Sequence, residues 1–87
     1  MQKLTRQEAR EILLEAQRLK KLYSDCRPRL GQAIWWCAGN ESQLSLELRL
    51  KLGEFLEKDS GGEKDVYHWI DDHKIIQKFY ELYVEQY

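Results

Sequence analysis

Leu44-Ser45-Leu46-Glu47-Leu48-Arg49-Leu50-Lys51-Leu52 places a leucine at every second position, and the reading of that ladder decides the fold. Alternation is the period of a half-buried strand. Composition opposes it: the stretch holds no β-branched residue, and Leu, Glu, Arg and Lys all favour helix. At the helical period Leu44, Leu48, Leu52, Phe55 and Leu56 form one apolar stripe. Leu46 and Leu50 then fall about 200° round the same helix. A helix with leucine on two sides is either the central element of a bundle or is covered on its second side by a partner. An edge strand over residues 44–52 is the alternative that the alternation leaves open.

The flanking sequence supports helices. Upstream, Thr5 followed by Glu8 has the spacing of a capping box, and Ala9, Ile12, Leu13, Ala16, Leu19 and Tyr23 follow at helical intervals. A first helix is predicted over residues 5–24, with Arg6, Arg10, Glu11, Glu15 and Arg18 on its outer face and a weak Glu15–Arg18 pair. Pro28 suits the first turn of a second helix. That helix, predicted over residues 28–38, is apolar nearly all round and expected to be deeply packed, with Gly39 ending it. Asn40 or Ser42 is expected to cap the leucine helix, which runs to about Lys58 with Gly53 inside it. Asp59-Ser60-Gly61-Gly62 reads as a turn. Val66, Tyr67, Trp69 and Ile70 form a short irregular aromatic segment. Ile75, Ile76, Phe79, Tyr80, Leu82 and Tyr83 give a last helix over residues 72–86. The fold class is therefore all-α, a compact bundle of four helices in a single domain over residues 1–87, with the aromatic segment before the last helix.

The totals narrow the function. Apolar residues make up 43% and charged residues 33% of the 87, as in a globular domain rather than a disordered segment. The longest apolar run, Ala33 to Ala38, is far short of the roughly 20 residues a membrane span needs. The N-terminus has no signal-like apolar run, so the expected location is the cytoplasm, with no membrane partner. Net charge is −1, but it is unevenly spread. Residues 1–39 carry eight basic against four acidic groups (+4), and residues 40–87 carry six against eleven (−5). The two halves can attract each other within one fold, or pair head to tail between copies.

No constellation in the chain points to catalysis. Cys26 and Cys37 do not make a disulfide framework, and Cys37 reads as a small buried hydrophobe. Their spacing, and that of His68 and His73, does not suit zinc. Asp71-Asp72-His73 has no nucleophile beside it, and Asp at a helix start already has a structural purpose. Gly61-Gly62 lacks the Lys-Ser/Thr of a phosphate loop. No enzyme, no metal and no cofactor are expected. Arg18, Lys20, Lys21, Arg27 and Arg29 form a basic cluster of the sort that contacts phosphates or an acidic partner. The residues from 28 to 38 are too apolar for a recognition helix in DNA.

Two stretches carry a family resemblance. Arg29-Leu30-Gly31-Gln32-Ala33-Ile34-Trp35 resembles the R-hydrophobic-G-Q-A/S-hydrophobic-aromatic motif of a family of small proteins encoded by bacteriophages and prophages. Asp65-Val66-Tyr67-His68-Trp69-Ile70-Asp71-Asp72-His73-Lys74 resembles the acidic-aromatic stretch that leads into the last helix of those proteins. The likeness covers residues 27–38 and 65–84. The chain departs from it in its long basic first helix and in Trp35-Trp36, where the family more often has an aromatic followed by Asn. The resemblance implies a phage-type accessory protein in the cytoplasm of a bacterial host, with no active site to carry over. Such products often bind host proteins stoichiometrically, including as inhibitors of host defence. The motif also has a structural reading, in which Gly31 lets helices approach and Gln32 bonds an exposed backbone end.

The expectation is thus a non-enzymatic protein-binding module. Its expected partner-binding residues are Leu46 and Leu50 with the aromatic Trp69, Tyr83 and Tyr87. Tyr and Trp are common interface anchors, and surplus apolar surface usually means a partner. The partner is expected to be a host protein, or a second copy in a homodimer. A nucleic-acid-binding regulator built on residues 18–29 is the alternative.

Overall fold

The computed structural model of the protein describes residues 3–59 and 72–86. Among the described residues four α-helices form the bundle: α1 (Arg6–Leu22), α2 (Leu30–Cys37), α3 (Leu46–Asp59) and α4 (Asp72–Tyr83), with a 3₁₀ turn at Ser24–Cys26. The leucine ladder is helical from Leu46 onward, and no strand occurs among the described residues. The aromatic segment expected at residues 66–70 lies outside the described residues.

Local chemistry explains most of the boundaries. The capping box forms as the spacing requires: the Glu8 N–H donates to Thr5 Oγ1 at 3.0 Å, and the Thr5 N–H donates to Glu8 Oε1 at 2.9 Å. The second helix starts later than expected, at Leu30, with Arg29 as its cap and Pro28 outside it. Gln32 Oε1 accepts from the Arg29 N–H at 3.1 Å. The structural reading of the Arg-Leu-Gly-Gln-Ala motif therefore holds for its glutamine. The chain reaches α2 through Arg27, a non-glycine residue in the left-handed region (φ 51°). Gly39 follows α2 without taking that conformation. The third helix is capped by Ser45, not by Asn40 or Ser42: the Leu48 N–H donates to Ser45 Oγ at 3.2 Å. Ser42 instead holds the preceding turn, where its Oγ accepts from the Leu44 N–H at 3.1 Å.

Although α2 is short, it is the central element. It packs along α1 and touches both α3 and α4, and Leu30, Ala33, Ile34 and Cys37 are buried there. The Cys37 thiol donates to the Ile12 carbonyl at 3.5 Å. Burial pushes its pKa up to about 12, with the Glu15 carboxylate adding to the shift, so it stays a protonated hydrophobe. Trp36 sits at the edge of the core, edge-on to Tyr23 with centroids 5.5 Å apart. Leu48, Leu52, Phe55 and Leu56 face the core from α3, and Ile75, Phe79 and Tyr83 from α4. The leucine helix is thus peripheral, packed on one side only.

The two ends of the described chain are tied together, which no sequence pattern announces. Leu4 and Val84 form a parallel bridge. The Leu4 N–H donates to the Tyr83 carbonyl at 2.7 Å, and the Glu85 N–H to the Leu4 carbonyl at 2.9 Å. Both Leu4 and Val84 are fully buried.

Candidate protein-binding surface

The outer face of α3 is apolar at its start and acidic towards its end. Leu46 is 62% exposed and Leu50 is 61% exposed. They are one turn apart, so they sit side by side. Glu54 and Glu57 follow four and seven residues after Leu50 on the same side, and Glu47 flanks them; all three are exposed. Two cations of the helix are held by neighbouring elements. Lys51 Nζ pairs with Glu8 Oε1 at 2.9 Å and ties α3 to α1. Arg49 Nη1 donates to the Gly39 carbonyl at 3.4 Å.

Beside this face lies an open groove of about 490 Å3 between α3 and the end of α2, walled by Trp35 and Leu50 over Ala38 and Gly53. A Cβ added at Gly53 would meet only the Ala38 Cβ, at 3.9 Å. That is ordinary contact, so packing does not demand glycine there.

A second exposed apolar site was not expected. Leu14 is 62% and Leu22 60% exposed on α1. Neither belongs to the i, i+3, i+4 series that buries Ala9, Ile12, Ala16 and Leu19. That omission is the signal that finds them. Arg10 and Lys21 lie four before and seven after Leu14, on the same side of the helix, and both are exposed.

Next to it stands the one buried carboxylate among the described residues. Glu15, expected on the outer face of the first helix, is only 7% exposed. Its Oε1 accepts from Arg18 Nε at 2.7 Å. Its Oε2 accepts from Arg18 Nη2 at 2.8 Å and from the Gln43 N–H at 2.7 Å. These bonds pin the loop before α3 onto α1. The Arg18 guanidinium holds the Glu15 carboxyl below the usual carboxylate range; burial opposes that, and the Gln43 N–H reinforces it. For Glu8, burial pushes upward, but the Thr5 N–H and the Lys51 ammonium outweigh it, and its pKa also ends low. Close by, the Tyr23 hydroxyl donates to the Glu41 carboxylate, which raises the tyrosine's pKa.

The expected contact residues separate. Leu46 and Leu50 are on the surface together. Tyr83 is not: it is 2% exposed, a core residue. It continues the Ile75–Phe79 stripe of α4, edge-on to Phe79 at 5.5 Å and tilted on Phe55 at 5.3 Å. It meets α3 through Phe55, on the core side, and cannot share a surface with the outer leucines. Trp69 and Tyr87 lie outside the described residues, as does His68. Of the basic cluster, Arg18 is engaged by Glu15, with its Nη2 also donating to the Glu41 carbonyl at 3.4 Å. Lys21, Arg27 and Arg29 are exposed, and Lys20 is half-buried.

No group of three metal-ligating side chains occurs among the described residues. No described helix is long and apolar enough to cross a membrane. No protein-family model, curated protein or solved structure matches the chain.

Proposed function

We propose that this chain is a non-enzymatic protein-binding module that acts through the outer face of α3. One observation carries the reading. Leu46 and Leu50 hold over half their surface in water on a helix whose other side already supplies the core. An exposed lone leucine is ordinary. Two that adjoin, bordered by a groove walled by Trp35, have the character of an interface centre ringed by charge. Gly53 supports the same reading. Glycine within a helix costs about 1 kcal/mol relative to alanine, and here it keeps the groove floor bare without being sterically required.

The partner class rests on the resemblance to phage-encoded proteins. In this proposal the chain binds a host protein stoichiometrically and inhibits the machine to which that protein belongs, a defence system being one such target. Immobilised wild type and Leu46→Glu/Leu50→Glu variant, each exposed to bacterial lysate, test the surface. Proteins retained by wild type and lost from the variant, with helicity equal in both, are the expected result. Equal retention by both would place binding elsewhere.

A further inference from the structure

We infer that the α3 face, in the absence of another partner, is covered by a second copy of this chain, which docks the basic outer face of its α1. The inference rests on the reading of α3 as a protein-binding surface and names one occupant for it.

Two of the exposed apolar sites among the described residues are opposites in charge; the other exposed large hydrophobic there, Ile76 on α4, is 36% exposed. On α3, Leu46 and Leu50 are surrounded by exposed Glu47, Glu54 and Glu57, while Lys51 is paired with Glu8 and Arg49 is held at the groove edge by the Gly39 carbonyl. On α1, Leu14 shares its side of the helix with exposed Arg10 and Lys21, and Arg6 lies one turn before Arg10. Glu11 is the one described acid on that side. Glu15, which would otherwise offset the cations there, is withdrawn into its bonds with Arg18 and Gln43. Each patch therefore offers what the other lacks, exposed leucine framed by the opposite charge. Two α3 faces meeting each other would instead bring acids together, and two α1 faces would oppose cations. Like charges facing across an interface are costly. The favoured contact is thus heterologous, α1 to α3, which closes into a pair or ring or extends into a chain of copies.

Crosswise complementation tests it by sedimentation velocity. Wild type is expected to self-associate as concentration rises from micromolar to millimolar, and less so at high salt, because exposed charges are screened. The Leu14→Glu variant lacks the α1 patch and the Leu50→Glu variant lacks the α3 patch. Each alone should sediment as a monomer. Mixed one to one, they should form a pair and nothing larger, since one intact patch of each kind remains. Where a glutamate unfolds either helix by circular dichroism, charge reversal replaces it: Arg10→Glu/Lys21→Glu and Glu54→Lys/Glu57→Lys should each be monomeric alone and associate when mixed, both kinds of contact being restored between the two variants. Self-association of the Leu14→Glu variant alone, a mixture that stays monomeric, or a monomeric wild type at every concentration would each overturn the inference. Those results would leave the wider reading standing, because that reading depends on what the Leu46→Glu/Leu50→Glu variant fails to retain from lysate.

Discussion

The junction around Glu15 and the outer face of α3 treat polarity in opposite ways. At the junction a carboxylate is 7% exposed, and on α3 two leucines are more than 60% exposed. The difference lies in what each group finds nearby. Glu15 is held by a two-pronged arginine and a backbone N–H, all within 2.8 Å, and such charge-assisted bonds offset desolvation. Leu46 and Leu50 find no described neighbour that covers them, although the same helix buries Leu48 and Leu52. Internal partners thus account for the buried charge. The exposed leucines have none among the described residues.

Leu52 and Leu50 give the sharpest contrast, being the same residue type on opposite sides of one helix. Leu52→Ala should cost about 2–5 kcal/mol, as buried leucine truncations do. Leu50→Ala should change monomer stability by no more than about 0.5 kcal/mol. Urea unfolding at low protein concentration reads both. Similar costs would mean that the outer leucines belong to the core.

Glu15→Ala comes next. It strands the Gln43 N–H and the Arg18 guanidinium, and the expected loss is about 1.5–3 kcal/mol, the range for hydrogen bonds to charged groups. Arg18→Ala should cost less, because its side chain is 37% exposed and water replaces part of what it loses. The same carboxylate sets a pH dependence. Glu15 and Glu8 have folded pKa values below the ordinary 4.5. Their stabilising contribution is therefore complete above about pH 4.5 and is lost as pH falls through the lower folded values. Urea midpoints between pH 7 and pH 3 should fall in that window, less steeply for Glu15→Gln. A wild-type midpoint independent of pH there would contradict the buried pair.

Gly53→Ala carries the smallest effect and the opposite sign. It should stabilise the fold by up to about 1 kcal/mol, since the new methyl meets only Ala38 at ordinary distance. A loss instead would mean that α3 needs a closer approach to α2.

Where structure follows local pattern, the chain could be read directly. The Thr5–Glu8 box, the stripe of the first helix and the Ile75–Phe79 repeat are all set by neighbours a turn away, and all formed. The outer position of Leu46 and Leu50 followed from helical geometry once the ladder was read as a helix. The misreadings that bear on the surface involve distant partners. Glu15 was assigned to the surface because its backbone partner, Gln43, is 28 residues away. Tyr83 reads as an interface anchor by residue type, and only its contact with Phe55 on α3 shows it to be core. The Leu4–Val84 bridge that closes over that end joins residues no local pattern connects. Asn40, Ser42 and Ser45 can all cap a helix, and only the course of the loop selects Ser45.

The central claim, that α3 has one side in the core and one in water, is tested most directly by urea unfolding of the Leu46→Glu/Leu50→Glu variant, followed by far-ultraviolet circular dichroism at low protein concentration. The structure predicts wild-type helicity, a cooperative transition and a stability within about 1 kcal/mol of wild type, since each substitution is on the surface. Loss of the cooperative transition would contradict it and place both leucines among the residues that hold the fold together.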